Sequence, residues 1–123
     1  AVFVGAFVNL DALVRALAAA AGPIMLVCAG QDGREALEDT ACAGAIATAL
    51  GDHGDDAGTA HARRTWDAAG RDAMRALARA PHGIALTAAG FGDDLTAAAS
   101  HSRYDIVPAC DADNAHRIVR LVP

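Results

Sequence analysis

The sequence predicts an α/β fold: a layered, largely parallel sheet with an edge hairpin at its C-terminus and helices packed on its faces. Two short runs, residues 2–8 and 24–28, are apolar and have the length of buried strands rather than of helices. Each run is followed by a stretch with helical spacing, and this strand–helix–strand–helix order is typical of a crossover between parallel strands. Residues 104–109 and 117–122 flank a polar turn and predict the edge hairpin.

The first predicted unit is a strand over residues 2–8 followed by a helix. Because the strand is apolar throughout, we expect it to be buried on both faces. Asn9 is a favourable N-cap for the helix. Gly22 and Pro23 end it. The residues that recur on its apolar face are Leu10, Leu13, Val14 and Leu17.

The second unit, residues 24–50, organises the chain. A five-residue apolar strand leads into a loop with two glycines, Gly30 and Gly33, and then into a charged cluster that opens a helix. Open α/β sheets bind ligands at this point, at the carboxyl end of a strand. Small residues in the helix would allow a neighbouring helix to pack very close: Gly44, Ala45, Ala47 and Thr48.

The spacing alone does not name a ligand for this unit. Neither GxGxxG nor GxxxxGK[ST] is present. Glu38 and Asp39 have two interpretations at this stage, as ligands of a cation or as acids that favour a helix N-terminus through the helix dipole.

The second half predicts further helices. An acidic turn, residues 51–58, precedes a long helical pattern over residues 56–80 that is weakened in the middle by Gly70. Its arginines, including Arg63, are expected on a solvated face. A brief helix capped by Asp93 or Asp94 follows the break at residues 90–92. The apolar side of the long pattern consists of Trp66, Ala69, Ala73, Met74, Leu77 and Ala78.

Composition excludes several classes of function. At 123 residues the chain has the size of one domain, and its net charge of −5, with arginine as the only basic residue type apart from histidine, argues against nucleic acid as a partner. No stretch is apolar enough for a membrane span. Cys28, Cys42 and Cys110 lie far apart without a CxxC pair, so we expect free thiols and a cytoplasmic location. Cys28 and Cys42 are expected to be at least partly buried.

A family resemblance adds chemistry to this pattern. Residues 28–50 read CAGQDGREALEDTACAGAIATAL and resemble the segment CAG-x-x-G-x-x-x-x-EDT-x-x-AG of the 2-phosphosulfolactate phosphatase family, magnesium-dependent phosphatases of coenzyme M biosynthesis. VGAFVN at residues 4–9, GFGDD at 90–94 and YDIVP at 104–108 agree in order. The resemblance runs through nearly the whole chain, but only as the C-terminal half of the family. We therefore expect residues 1–123 to form a single α/β domain, the C-terminal part of a longer family protein.

The resemblance implies a Mg²⁺ site for a small anionic phosphate ester such as 2-phosphosulfolactate. Glu38 and Asp39 are the expected metal ligands, since Mg²⁺ takes one or two carboxylates and fills its shell with water and phosphate. Asp93 and Asp94 are a second candidate pair, with helix capping as the equal alternative.

The implied substrate contacts lie in the glycine loop. Backbone groups of Ala29, Gly30 and Gly33 are expected to hold anionic oxygens, and Arg34 to clamp a phosphate or sulfonate. Asp39 or Cys28 is the expected nucleophile, although a small buried side chain is the commoner role of a free cysteine.

The missing half of the family pattern implies that this chain carries only part of the site. We expect it to form a homo-oligomer or to associate with the missing N-terminal half. The alternative function is a non-catalytic α/β module that binds an anionic metabolite or completes an oligomer. None of the five histidines has a sequence partner that points to a role, so none is assigned one.

Overall fold

Helices dominate the described part of the chain. The computed structural model describes residues 1–51 and 56–110 and the backbone of residues 118–121. None of the helices among these residues is long and apolar enough to cross a membrane. After a short 3₁₀ helix at Phe7–Asn9, the elements are α1 (Leu10–Ala19), α2 (Leu37–Leu50), α3 (Ala57–Ala68), α4 (Ala73–Arg79), α5 (Pro81–Ala88), α6 (Gly92–Ala98), β1 (Val107–Cys110) and β2 (Ile118–Leu121).

The long helical pattern of the second half is divided at Gly70, as the sequence suggested. Aspartates start both pieces, because Asp56 and Asp72 accept hydrogen bonds of 2.9 and 2.7 Å from the amides of Thr59 and Arg75. Pro81 occupies the first turn of α5, where a missing N–H costs nothing.

The core lies where α1, α2, α3 and β1 meet. Phe7 and Trp66 form its aromatic centre, with ring centroids 5.5 Å apart. The predicted apolar face of α1 is confirmed at Leu10, Leu13 and Leu17, which are all buried. The other large buried side chains of this cluster are Ile46 and Val107.

The small residues of α2 permit the close packing that the sequence predicted. A Cβ atom built on Gly44 would lie 2.0 Å from the carbonyl oxygen of Ala62 in α3. No side chain fits into that space, so glycine sets the distance between the two helices.

The predicted parallel sheet is absent from the described residues. Phe3 instead forms an isolated antiparallel bridge with Ala109 of β1. The Val4 amide donates to the Pro108 carbonyl at 2.8 Å. Residues 24–28, expected to be a strand, are neither helix nor strand. A strand needs hydrogen-bonding partners, and the first apolar run finds them in β1 rather than in residues 24–28.

The C-terminal strand pair agrees with the predicted edge hairpin. β1 and β2 pair antiparallel, with Val107 opposite Leu121 and Cys110 opposite Ile118. The predicted turn at residues 111–114 lies outside the described residues. The same holds for Asp52, His53 and Asp55 of the acidic turn.

Asn9 does not cap α1 with its side chain, contrary to the prediction. Its Oδ1 accepts from the Ala6 amide at 2.8 Å, and its Nδ2 donates to the carbonyls of Val4 and Ile106, both at 3.1 Å. The buried amide therefore joins the N-terminal segment to the residues before β1. These hydrogen bonds satisfy the polar groups of the buried Asn9 side chain.

Candidate functional site

The glycine loop before α2 is a closed two-residue turn. The Gln31 amide donates to the Arg34 carbonyl at 3.0 Å, and the Arg34 amide donates to the Gln31 carbonyl at 2.9 Å. Asp32 and Gly33, between them, both have positive φ, 51° and 72°. This geometry is that of a tight hairpin turn, which favours glycine at the second position. The amides of Gln31 and Arg34 are therefore already engaged within the turn.

Asp39 holds this turn against the start of α2. The Gly30 amide donates a 2.7 Å hydrogen bond to Oδ2 of Asp39, which lies in the first turn of the helix. A Cβ atom on Gly30 would lie 2.6 Å from the Arg34 carbonyl oxygen, so only glycine permits the contact. Glu38 is half-buried beside Asp39, whereas Arg34 is exposed.

Cys28 lies just before the loop and is exposed, contrary to the expectation that it is partly buried. The reason is that residues 24–28 do not form a buried strand. Partial desolvation of its sulfur raises the pKa of the thiol, and the negative charges of Asp39 and Glu35 raise it further. The protonated thiol is therefore favoured at neutral pH.

Cys42 agrees with the prediction of a free, partly buried cysteine. Burial raises the pKa of its thiol to about 12, and the charge of Asp39 acts in the same direction. All three cysteines are free thiols.

Ionisation of the Cys42 thiol should lower the stability of the fold at alkaline pH. Its pKa of about 12 in the folded protein exceeds the ordinary value of 9.0 for a cysteine thiol. Its contribution to the free energy of unfolding is therefore complete below pH 9 and is lost as the pH rises towards 12. The loss amounts to at most about 4 kcal/mol, since each pKa unit corresponds to about 1.4 kcal/mol.

Urea unfolding at pH 8.5, 9.5 and 10.5 measures this dependence. We expect Cys42→Ala to flatten the decline in the free energy of unfolding above pH 9, and Cys110→Ala, at another half-buried cysteine, to retain it. An unchanged decline in Cys42→Ala would assign the effect to other groups.

A second polar cluster, formed by Glu35, Thr40 and His61, connects α2 to α3. Oε1 of Glu35 accepts a 2.8 Å hydrogen bond from the Thr40 hydroxyl and lies 2.7 Å from Nε2 of His61. The hydrogen bond from His61, followed by that from Thr40, lowers the pKa of Glu35. His61 has no role that the sequence predicts, because its partner Glu35 is 26 positions away and no spacing pattern connects the two.

This group borders a cavity of about 940 Å³ between residues 17–28, α2 and α3. Cys28, Glu35, Thr40 and His61 all line it. Of the predicted site residues within the described part of the chain, Cys28 alone contributes to the lining. Ala29 and the residues of the turn and of the Glu38–Asp39 pair lie outside it.

Arg63 also lines this cavity and is half-buried, so it departs from the predicted solvated arginine face. The other arginines of that face are exposed as predicted: Arg64, Arg71, Arg75 and Arg79. Its side chain donates to the carbonyls of Ala47, at 3.1 Å, and Gly51 at the end of α2. A guanidinium there neutralises the negative end of the helix dipole.

The carboxylates near the turn suit a magnesium ion only in part. Among the described residues, no group of three or more His, Cys, Asp or Glu side chains is arranged to hold a metal. Glu38 and Asp39 offer two carboxylates, and Mg²⁺ commonly takes two protein ligands and completes its shell with water and phosphate. Asp93 and Asp94 are exposed in the first turn of α6.

Comparison with known proteins places these residues in a family. The family model described as 2-phosphosulpholactate phosphatase matches residues 1–113. A probable 2-phosphosulfolactate phosphatase from Deinococcus radiodurans is 40% identical over 111 residues, which cover 87% of this chain and 46% of the relative.

A protein of the same name from Pseudothermotoga lettingae is 33% identical over 122 residues, covering 98% of this chain and 52% of the relative. The chain thus spans about half the length of the curated relatives it matches. On the strength of the family model and these relatives, the chain belongs to the 2-phosphosulfolactate phosphatase family.

Proposed function

We propose that this chain carries the magnesium-binding part of a phosphatase site for a small phosphate monoester such as 2-phosphosulfolactate. The observation that carries the proposal is the Asp39 carboxylate held 2.7 Å from the Gly30 amide, with Glu38 beside it. Both acids lie in the segment matched by the family model. The names of the two relatives supply the substrate.

Glu38 and Asp39 would hold the metal, each through carboxylate oxygens. The Gly30 amide occupies Oδ2 of Asp39 and so fixes the orientation of that carboxylate. A bound Mg²⁺ neutralises charge that develops on a transferred phosphoryl group. These two residues therefore decide where the phosphate is held relative to the loop.

The loop supplies the groups that face an anionic substrate. The amides of Gly30, Gln31 and Arg34 are engaged within the chain, which leaves those of Ala29, Asp32 and Gly33 for anionic oxygens in this part of the loop. The exposed guanidinium of Arg34 has the fork geometry to bind a phosphate or sulfonate through two hydrogen bonds. Ala29 and Gly33 contribute backbone only.

Asp39 is the better of the two proposed nucleophiles. The raised pKa of Cys28 keeps its thiol protonated at neutral pH, and the thiol is a poor nucleophile. Cys28 then lines the cavity and does not act as the nucleophile that attacks the phosphate.

The proposal assigns this chain only part of the site. Two carboxylates and one exposed arginine are fewer groups than phosphoryl transfer commonly recruits. The rest would come from the half of a family-length protein outside this chain, or from a second copy. In that assembly residues 24–28 would join a largely parallel sheet. The free cysteines suit the cytoplasm, where coenzyme M biosynthesis would take place.

A non-catalytic binding module is the second candidate. The cavity of about 940 Å³ favours it, because the guanidinium of Arg63 in its lining can attract an anionic metabolite. In this case anion affinity would not depend on magnesium.

Calorimetric titration of 2-phosphosulfolactate into the chain, with and without Mg²⁺, tests the proposal. Changing Glu38 and Asp39 together to alanine should weaken magnesium-dependent affinity by more than about tenfold, or ~1.4 kcal/mol. Either single change should cost less, because water can replace one carboxylate ligand.

The matched control is the double change of Asp93 and Asp94 to alanine, another adjacent acid pair in the first turn of a helix. It should leave the affinity unchanged, whereas a loss of affinity would assign the metal to Asp93 and Asp94, the second candidate pair. Equal affinity in the wild type and the Glu38→Ala/Asp39→Ala protein would contradict the assignment, and magnesium-independent binding would favour the binding module.

A further inference from the structure

Residues 23–29 expose apolar side chains and an unpaired backbone. Met25 is 85% exposed, Val27 82% and Ile24 40%. In the described part of the chain, no backbone hydrogen bond involves residues 21–29. Exposed apolar runs of this kind mark interaction surfaces, and unpaired strand-like backbone is a template for strand addition.

The exposure of these side chains alternates along the segment. Leu26 packs against the core, whereas its neighbours Met25 and Val27 face away. A period of two is that of a strand with one covered face and one open face. The segment therefore has the side-chain pattern of a strand, but it lacks strand neighbours and a cover for its open face.

The lack of charge in residues 23–29, and their position next to the glycine loop, favour an apolar partner that also contacts this loop. No charged residue occurs between Arg15 and Asp32, so the segment lacks the charges that protect natural edge strands. It leads directly into the turn held by Asp39. It also lines the 940 Å³ cavity, to which it contributes Pro23, Ile24, Met25, Leu26 and Cys28.

We propose that residues 23–29 are a docking edge, and that a β-strand from the other half of a family-length protein pairs with it and covers Met25 and Val27. The length comparison supports this occupant: the chain matches 46% and 52% of its two relatives, so about half of a family-length protein lies outside it. This inference concerns assembly and stands independently of the phosphatase proposal.

The probe is the half of the Deinococcus radiodurans relative that this chain does not match, co-expressed with the complete 123-residue chain. Light scattering after gel filtration should show a one-to-one complex. Amide hydrogen exchange at residues 24–28 should slow by at least about tenfold in the complex, because exchange requires opening of paired backbone.

Substitutions test whether the docking edge, rather than another exposed apolar residue, binds the partner. Met25→Asp/Val27→Asp should abolish the complex and leave the melting temperature of the free chain unchanged, since both side chains are exposed in it. Ile84→Asp, at another exposed apolar residue in α5, should leave the complex intact.

A single-chain chimera, with the same half joined ahead of residue 1, tests the proposal if the separate half does not fold. Residues 24–28 should be protected there as well. The proposal is overturned by unprotected residues 24–28 in the complex or the chimera. It is equally overturned by a homodimer of the chain alone that protects them, because a second copy would then be the occupant.

Discussion

Replacing Gly44 with alanine is expected to remove at least about 3 kcal/mol from the free energy of unfolding, the upper part of the range for overpacked cores. The added Cβ would lie 2.0 Å from the Ala62 carbonyl oxygen and 2.9 Å from Cβ of Trp66. A backbone carbonyl cannot rotate away as a flexible side chain can. Helices α2 and α3 must therefore separate, and Trp66 would lose its contact with Phe7. Urea unfolding followed by tryptophan fluorescence measures the change.

Gly92→Ala is the matched control for this prediction. Gly92 is also helical, but no atom lies within 4 Å of the position of its Cβ. Alanine there should have no effect or stabilise slightly, through its better helix propensity. A loss below about 1 kcal/mol for Gly44→Ala would show that the two helices can adjust, and that glycine does not set their distance.

The second large effect concerns activity: the chain alone should show almost no magnesium-dependent phosphatase activity, and supplying the other half should restore it. Charge stabilisation requires several groups fixed around the phosphoryl group before reaction. This chain offers Glu38, Asp39 and an exposed Arg34 at the turn, and its docking edge is uncovered. Restoration should amount to orders of magnitude, since orientation alone is worth about 7–11 kcal/mol of a barrier.

Local signals predicted most of the helices. The apolar spacing of α1 and the small residues of α2 act within one element, so they can be recognised in the sequence. Asp39 and Gly30 were expected to lie near each other, because they are nine positions apart and bracket a short turn. Their hydrogen bond was not predicted. The break at Gly70 was likewise a local feature.

Long-range partners could not be predicted. Residues 24–28 have the composition of a buried strand, but composition does not say whether neighbouring strands are present. Asn9 was interpreted as a cap because its partner Ile106 is 97 positions away. The contacts of Arg63 and His61 were missed for the same reason. Their partners, the Ala47 carbonyl and Glu35, come within reach only because α2 packs on α3.

Release of inorganic phosphate from 2-phosphosulfolactate with Mg²⁺ should be compared among the chain alone, the single-chain chimera and the chimera with Glu38→Ala/Asp39→Ala. We expect activity in the unmodified chimera and none above the buffer rate in the other two. Turnover by the chain alone at an ordinary enzyme rate of about 10 s⁻¹, or full activity in the doubly substituted chimera, would contradict it.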